Sequence, residues 1–265
     1  MLSTTGDLAR LGHAMLSSRL VTPAITRRWL QPIADTSNLR NGVGRPWEIY
    51  HAATASSSDG TPAAAAPILD VFLKAGQVAQ YSSYLGLSPD VGAGFAILAH
   101  DTSGAAADLN VYSDVVSQGV GELLGLAASE AAERYAGVYG SIGSRHNVAM
   151  FNVSDDGPGL VVTQLLVDGT DLRVKTATAA GILLENLDFR VYPTNVVKGG
   201  LHQFVAVFQD RSAPVDMGTP TCITWMTVDS LGPTLVDRFV FEVDPKGMAT
   251  QVLISGKGTS LTRSK

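Results

Sequence analysis

Lys74-Ala75-Gly76, set in the apolar run VFLKAGQVAQYSSYLGLSP, is the stretch of this 265-residue chain with the clearest chemical content. A lysine on a strand at a pocket rim supplies a fixed positive charge. A glycine two residues on lets another backbone approach, and the next N–H, that of Gln77, can donate to a developing oxyanion. These are the parts an acyl-transfer site needs. Taken by itself, Lys-x-Gly reads as a lysine on an edge strand, where a charge discourages unwanted pairing.

The other chemistry-bearing residues form no comparable group. The five histidines, His13, His51, His100, His146 and His202, fall in no H-E-x-x-H pattern or paired His/Cys spacing, so neither a metal site nor a cofactor is expected. His100-Asp101 at a strand end resembles an acid–base pair, but adjacent strand residues point to opposite faces. The single cysteine, Cys222, lies in TCITWMTV and reads as a small buried hydrophobe. No G-x-S-x-G, G-x-x-x-x-G-K-[ST] or G-x-G-x-x-G motif occurs. With a net charge of −5 and no long Lys/Arg cluster, nucleic acid is not an expected partner.

The elements that must position Lys74 follow from the pattern around it. With 45% apolar and 16% charged residues, the chain can bury a substantial core. TTGDLARLGHAML reads as a helix capped by Thr4 or Thr5, and PAITRRWLQP as a second with proline at its first position. Residues 52–67, AATASSSDGTPAAAAP, read as a mobile surface loop. Around that loop, RPWEIYH, PILDVFLKAG, QYSSYLGLSP and GAGFAILAHD read as antiparallel strands. One long helix is expected over 107–134, with Leu109, Tyr112, Val116, Val120, Leu123 and Ala127 on its apolar face and glycines 119, 121 and 125 packed closely. Short strands at regular spacing then predict an all-β, barrel-like domain from 135 to 265. The fold class is therefore α+β, with domains at 1–134 and 135–265.

Five ordered blocks, MLSTTGDLARLGHAML, TRRWLQP, GRPWEIY, DVFLKAGQVAQYSSYLGLSPDVGAGFAILAH and ASEAAERYAGVYG, together resemble the second half of the serine β-lactamase-like family. That family includes penicillin-binding proteins and class C β-lactamases, and the likeness is closest to fungal members with an appended lipocalin-like β domain. The resemblance implies a partial transpeptidase-like domain, an antiparallel sheet with packing helices, over residues 1–134. It places Lys74, Ala75 and Gly76 on the family's Lys-Thr/Ser-Gly motif, with Lys74 giving electrostatic support and Gln77 the oxyanion contact. Ala75 departs from the usual hydroxyl residue. Tyr81 and Ser82, opening the next strand, complete the implied substrate-binding set, although a structural role suits them better.

The family's nucleophile, the serine of Ser-x-x-Lys, has no counterpart here. The six lysines stand at 74, 175, 198, 246, 257 and 265, and none has a serine three residues before it. Tyr-x-Asn is also missing; Tyr112-Ser113-Asp114 comes after Lys74, in the wrong order. The expected function is thus that of a β-lactamase-related serine hydrolase or acyltransferase whose catalytic serine is not in this chain, because the preceding half of the domain is lost. Two alternatives stand beside it: a non-catalytic protein that binds a small-molecule ligand or a partner chain covering the exposed core, as an oligomer or complex, and a biosynthetic enzyme using the remnant cleft without a covalent intermediate. No signal peptide or membrane span is read in this chain, so a soluble protein is expected, cytoplasmic if complete and secreted if an N-terminal part is missing.

Overall fold

A computed structural model describes residues 3–53, 68–103, 108–141, 146–154, 157–213 and 237–264. The expected loop at 52–67 and the segment TCITWMTV, with Cys222, fall largely or wholly outside these residues. The chain divides into two compact units, Met1–Ala127 and Ala128–Lys265. Among the described residues no helix is long and apolar enough to cross a membrane.

In the first unit, α1 (Thr5–Leu16) begins where Thr4 Oγ1 accepts from the Asp7 N–H at 3.1 Å, satisfying a donor of the first turn. The second helix, α2 (Pro23–Trp29), starts with proline behind the Thr22 cap. The six strands β1 (Ala34–Asp35), β2 (Asn41–Val43), β3 (Glu48–Ala53), β4 (Ile68–Val78), β5 (Tyr81–Ser88) and β6 (Ala93–His100) form one antiparallel sheet in chain order.

Strand alternation gives this sheet two apolar faces. Trp47, Ile49, Phe72 and Leu87 pack with Met15 and Leu30 from the α1 and α2 side. Tyr50, Ala52, Leu69, Val71 and Leu73 pack with Val120 and Leu124 on the other. Gly12 is what lets α1 lie close: a Cβ there would stand 2.9 Å from the buried Leu87 Cδ2.

The helix expected over 107–134 is instead two, α3 (Asn110–Gly121) and α4 (Leu123–Tyr135), broken at Glu122. The buried stripe of α3 also differs from the apolar pattern. Leu109, Ser113, Ser117 and Gly121 are buried at i, i+4 spacing, and Tyr112 is 64% exposed. Small residues allow close approach to the sheet, and that outweighs hydrophobicity here.

In the second unit, β7 (Gly137–Gly140), β8 (Val148–Asn152), β9 (Leu160–Val167), β11 (Leu187–Lys198), β12 (Leu201–Asp210), β13 (Arg238–Val243), β14 (Ala249–Ile254) and β15 (Thr259–Arg263) each pair with the next in this order. One more ladder, β15–β7, closes the sheet into an eight-stranded antiparallel barrel. The short β10 (Thr170–Asp171) adds to β9, and α5 (Leu172–Ala180) lies between β9 and β11 in sequence. Asp171 caps α5 by accepting from the Arg173 and Val174 N–H groups, and Gly181 ends it at φ 68°. Thr163 is an extra residue opposite β8, a bulge that lets β9 change its inward set from Leu160 and Val162 to Leu165 and Val167.

Large aromatic side chains occupy the barrel interior. Tyr139, Phe151, Phe189, Phe239 and Phe241 are fully buried, with ring centroids 5.1 to 5.8 Å apart among Tyr139, Phe151, Phe239 and Phe241 in edge-to-face contacts. Eight strands enclose a space that side chains of this size can fill. Arg263 ties β15 to the end of α4 by donating to the carbonyls of Glu133, Arg134 and Ala136.

Candidate active site

Lys74 lies one residue past the end of the β3–β4 ladder, whose last pair is Glu48↔Leu73. From Lys74 to Val78, β4 pairs among the described residues with β5 alone, as Lys74↔Leu85, Ala75↔Tyr84, Gly76↔Ser83, Gln77↔Ser82 and Val78↔Tyr81. The five residues that carry the motif therefore form a strand edge without a β3 partner. A two-residue turn, Ala79-Gln80, closes the hairpin, with Ala79 at φ 51°.

The Lys74 ammonium donates to Glu48 Oε1 at 2.6 Å and to the Ala75 carbonyl at 3.2 Å. Its charge is thus already compensated by an acid at the start of β3. Along β4, Ala75 and Gln77 continue the alternation set of Leu69, Val71 and Leu73, the face on which Val120 and Leu124 pack. Their β5 partners, Tyr84 and Ser82, share that face.

Ala75, Gly76, Gln77 and Ser82 come together as one wall of a cleft of about 350 Å³. Its lining also includes four residues the sequence did not suggest, Ser83, Tyr84, Asp108 and Asn110. The Tyr84 hydroxyl donates to Asn110 Oδ1, and the Asn110 N–H to Asp108 Oδ1 at 2.9 Å. Burial, then the carboxylates of Glu48, Asp114 and Asp108, push the Tyr84 phenol above its ordinary range. Burial also raises the Asp114 carboxyl. The cleft is therefore flanked by acids.

Lys74 adjoins this cleft without lining it, and Tyr81 stands apart. Tyr81 is 61% exposed and stacks on His100 at 4.3 Å between ring centroids. The Asp101 carboxylate caps a turn, accepting from Ser103 N–H at 2.7 Å and Oγ at 2.5 Å. Those two bonds hold its carboxyl below the usual range. His51, which no sequence pattern marked, pairs across strands with Asp70, Nδ1 to Oδ1 2.7 Å. Among the described residues no group of three or more His, Cys, Asp or Glu is placed to hold a metal ion.

The family described as "Beta-lactamase-like-like, C-terminal domain" matches residues 127–265, more than half of the chain. The chain belongs to this family. Over 278 aligned residues it is 26% identical to a "Beta-lactamase-like protein" of Arthroderma benhamiae, covering 91% of this chain and 45% of the relative. The chain thus spans less than half the length of the curated relative it matches. Two solved structures overlap loosely, each at 15% identity. The match to the octameric penicillin-binding protein homologue from Pyrococcus abyssi has a TM-score of 0.32 and covers 78% of this chain and 42% of that one. The match to SurE with D-Leu has a TM-score of 0.30 and covers 99% and 50%.

Proposed function

We propose that this chain is the C-terminal portion of a β-lactamase-like acyl-transfer protein and holds one wall of its site. The observation that carries the reading is the edge of β4 from Lys74 to Val78, which among the described residues pairs on one side only and runs beside a cleft. An acyl-donor substrate laid along that edge would find backbone donors, with Gln77 at the oxyanion position and Gly76 leaving room for approach. Lys74 would stabilise negative charge there after sharing or releasing its bond to Glu48. The nucleophilic serine would come from a segment outside this sequence.

A fluorophosphonate or penicillin probe tests this directly. The 265-residue chain is expected to stay unlabelled, and a longer product from the same source to be labelled at a serine preceding residue 1. An unlabelled longer product would sink the proposal.

A second reading, binding of a partner chain, has its own support. β6, with the sequence AGFAILAH, pairs with β5 alone among the described residues and carries no lysine, acid or proline to discourage a further strand. Concentration-dependent association in sedimentation velocity is its expected outcome, reduced by Leu98→Lys. A monomer over the whole concentration range would remove it. We read the barrel as lipocalin-like in topology, but its packed aromatic interior gives no support to a ligand held inside.

A further inference from the structure

A second cleft lies away from Lys74, where α2 meets the segments before β1 and β3. It has a volume of about 660 Å³, within the range of small-molecule sites, and Val21, Ile25, Trp29 and Ile33 form its apolar lining. Val21, Ile25 and Ile33 are 37%, 54% and 53% exposed, and together they make a patch rather than an isolated apolar side chain. Two arginines, Arg28 and Arg45, line the same cleft. Neither guanidinium has a hydrogen-bond or ion-pair partner among the described residues.

The local charge is opposite to that of the chain. Residues 17–47 carry five arginines and one aspartate, in a protein of net charge −5. Two like charges on one apolar cleft repel each other, and an anion between them relieves that repulsion while accepting from both forks. The walls are also fixed in place. Trp29 packs on the buried Trp47 with ring centroids 5.4 Å apart, and backbone bonds from Ile33 N–H to the Val43 carbonyl (2.8 Å) and Gly44 N–H to the Trp47 carbonyl (2.7 Å) hold the Arg45 segment beside Ile33.

We propose that this cleft binds a small amphipathic carboxylate, its apolar body against Ile25, Trp29 and Ile33 and its head between Arg28 and Arg45. The site is independent of the acyl-transfer reading, since it shares no residue with the Lys74 cleft.

Calorimetric titration of the chain with decanoate, below its micelle concentration, tests the proposal. One molecule is expected to bind per chain. Decanol, which has the same chain length and no charge, is expected to bind at least about tenfold more weakly, a comparison that needs no variant. The double variant Arg28→Gln/Arg45→Gln should lose at least about tenfold in affinity, and Arg28→Lys/Arg45→Lys should recover part of it, with circular dichroism confirming that both are folded. No decanoate binding, equal binding of decanol, or affinity indifferent to the double variant overturns the proposal. So does co-sedimentation with phosphatidylserine vesicles in the absence of decanoate binding, which would make the basic patch a membrane surface.

Discussion

Lys74 and Glu48 illustrate how little a charge says until its neighbour is known. The pair is short, but its side chains are 45% and 47% exposed, so solvent screens it and its contribution to stability is at most about 1 kcal/mol. Glu48→Gln should therefore move the unfolding free energy by about 1 kcal/mol or less in urea denaturation. Its larger effect is electrical. Glu48 is one of the charges that raise the Tyr84 phenol, and removing it stabilises the phenolate, so the Tyr84 midpoint should fall toward its ordinary value. Ultraviolet pH titration of Glu48→Gln, with Tyr84→Phe as the reference that isolates this tyrosine, measures the shift. An unchanged midpoint would show that Glu48 does not act on the cleft. Lys74 and its motif were legible from local sequence, but Glu48 and Asn110 each stand 26 residues from the residue they bond. Only the sheet brings them together.

At the scale of elements, helix starts were easier to read than helix faces. Thr4 and Pro23 mark α1 and α2 by local chemistry, and the strands β3 to β6 follow from apolar runs between turn signals. The α3 face is legible only in part: Leu109 is buried and Val120 packs on the sheet as expected, but Ser113, Ser117 and Gly121, which hydropathy does not single out, are buried as well and Tyr112 is exposed. The expectation that the glycines of α3 and α4 pack closely also needs correction at two positions. A Cβ at Gly119 or Gly125 would meet no atom within 4 Å among the described residues beyond its chain neighbours and its own helix backbone. Gly119→Ala therefore gains helix propensity without a clash and should stabilise the chain by about 0.5–1 kcal/mol, read as a higher urea midpoint. Gly12→Ala has the same propensity gain, but its Cβ would meet Leu87 at 2.9 Å, and the cost of overpacking, about 1–3 kcal/mol, should cancel or exceed it. A stabilised Gly12→Ala together with a destabilised Gly119→Ala would contradict this account.

For the molecule as a whole, a barrel-like domain is legible in the regular series of short strands, but the ladder that closes it, β15 with β7, and its aromatic filling are not, since no local pattern tells which first and last strands will pair. That filling has a consequence at high pH. Tyr139 is fully buried, its hydroxyl donates to the Tyr135 carbonyl at 2.7 Å, and burial pushes its phenol from 10 up to about 12. Below pH 10 the phenol is neutral in both folded and unfolded chains, and its contribution to stability is intact. Between pH 10 and about 12 the unfolded chain ionises and the folded one does not, so stability falls, by about 3 kcal/mol over the full interval. Burial also raises Tyr135 and Tyr192, which add to the same slope. Tyr139→Phe removes one of these groups. At about pH 8 it should cost about 1–2 kcal/mol through the lost hydrogen bond, and urea unfolding at successive pH values above about 10 should show a shallower decline than the native chain. Equal slopes would mean that the Tyr139 phenol ionises in the folded barrel as readily as in water, and that the interior is open to solvent rather than packed.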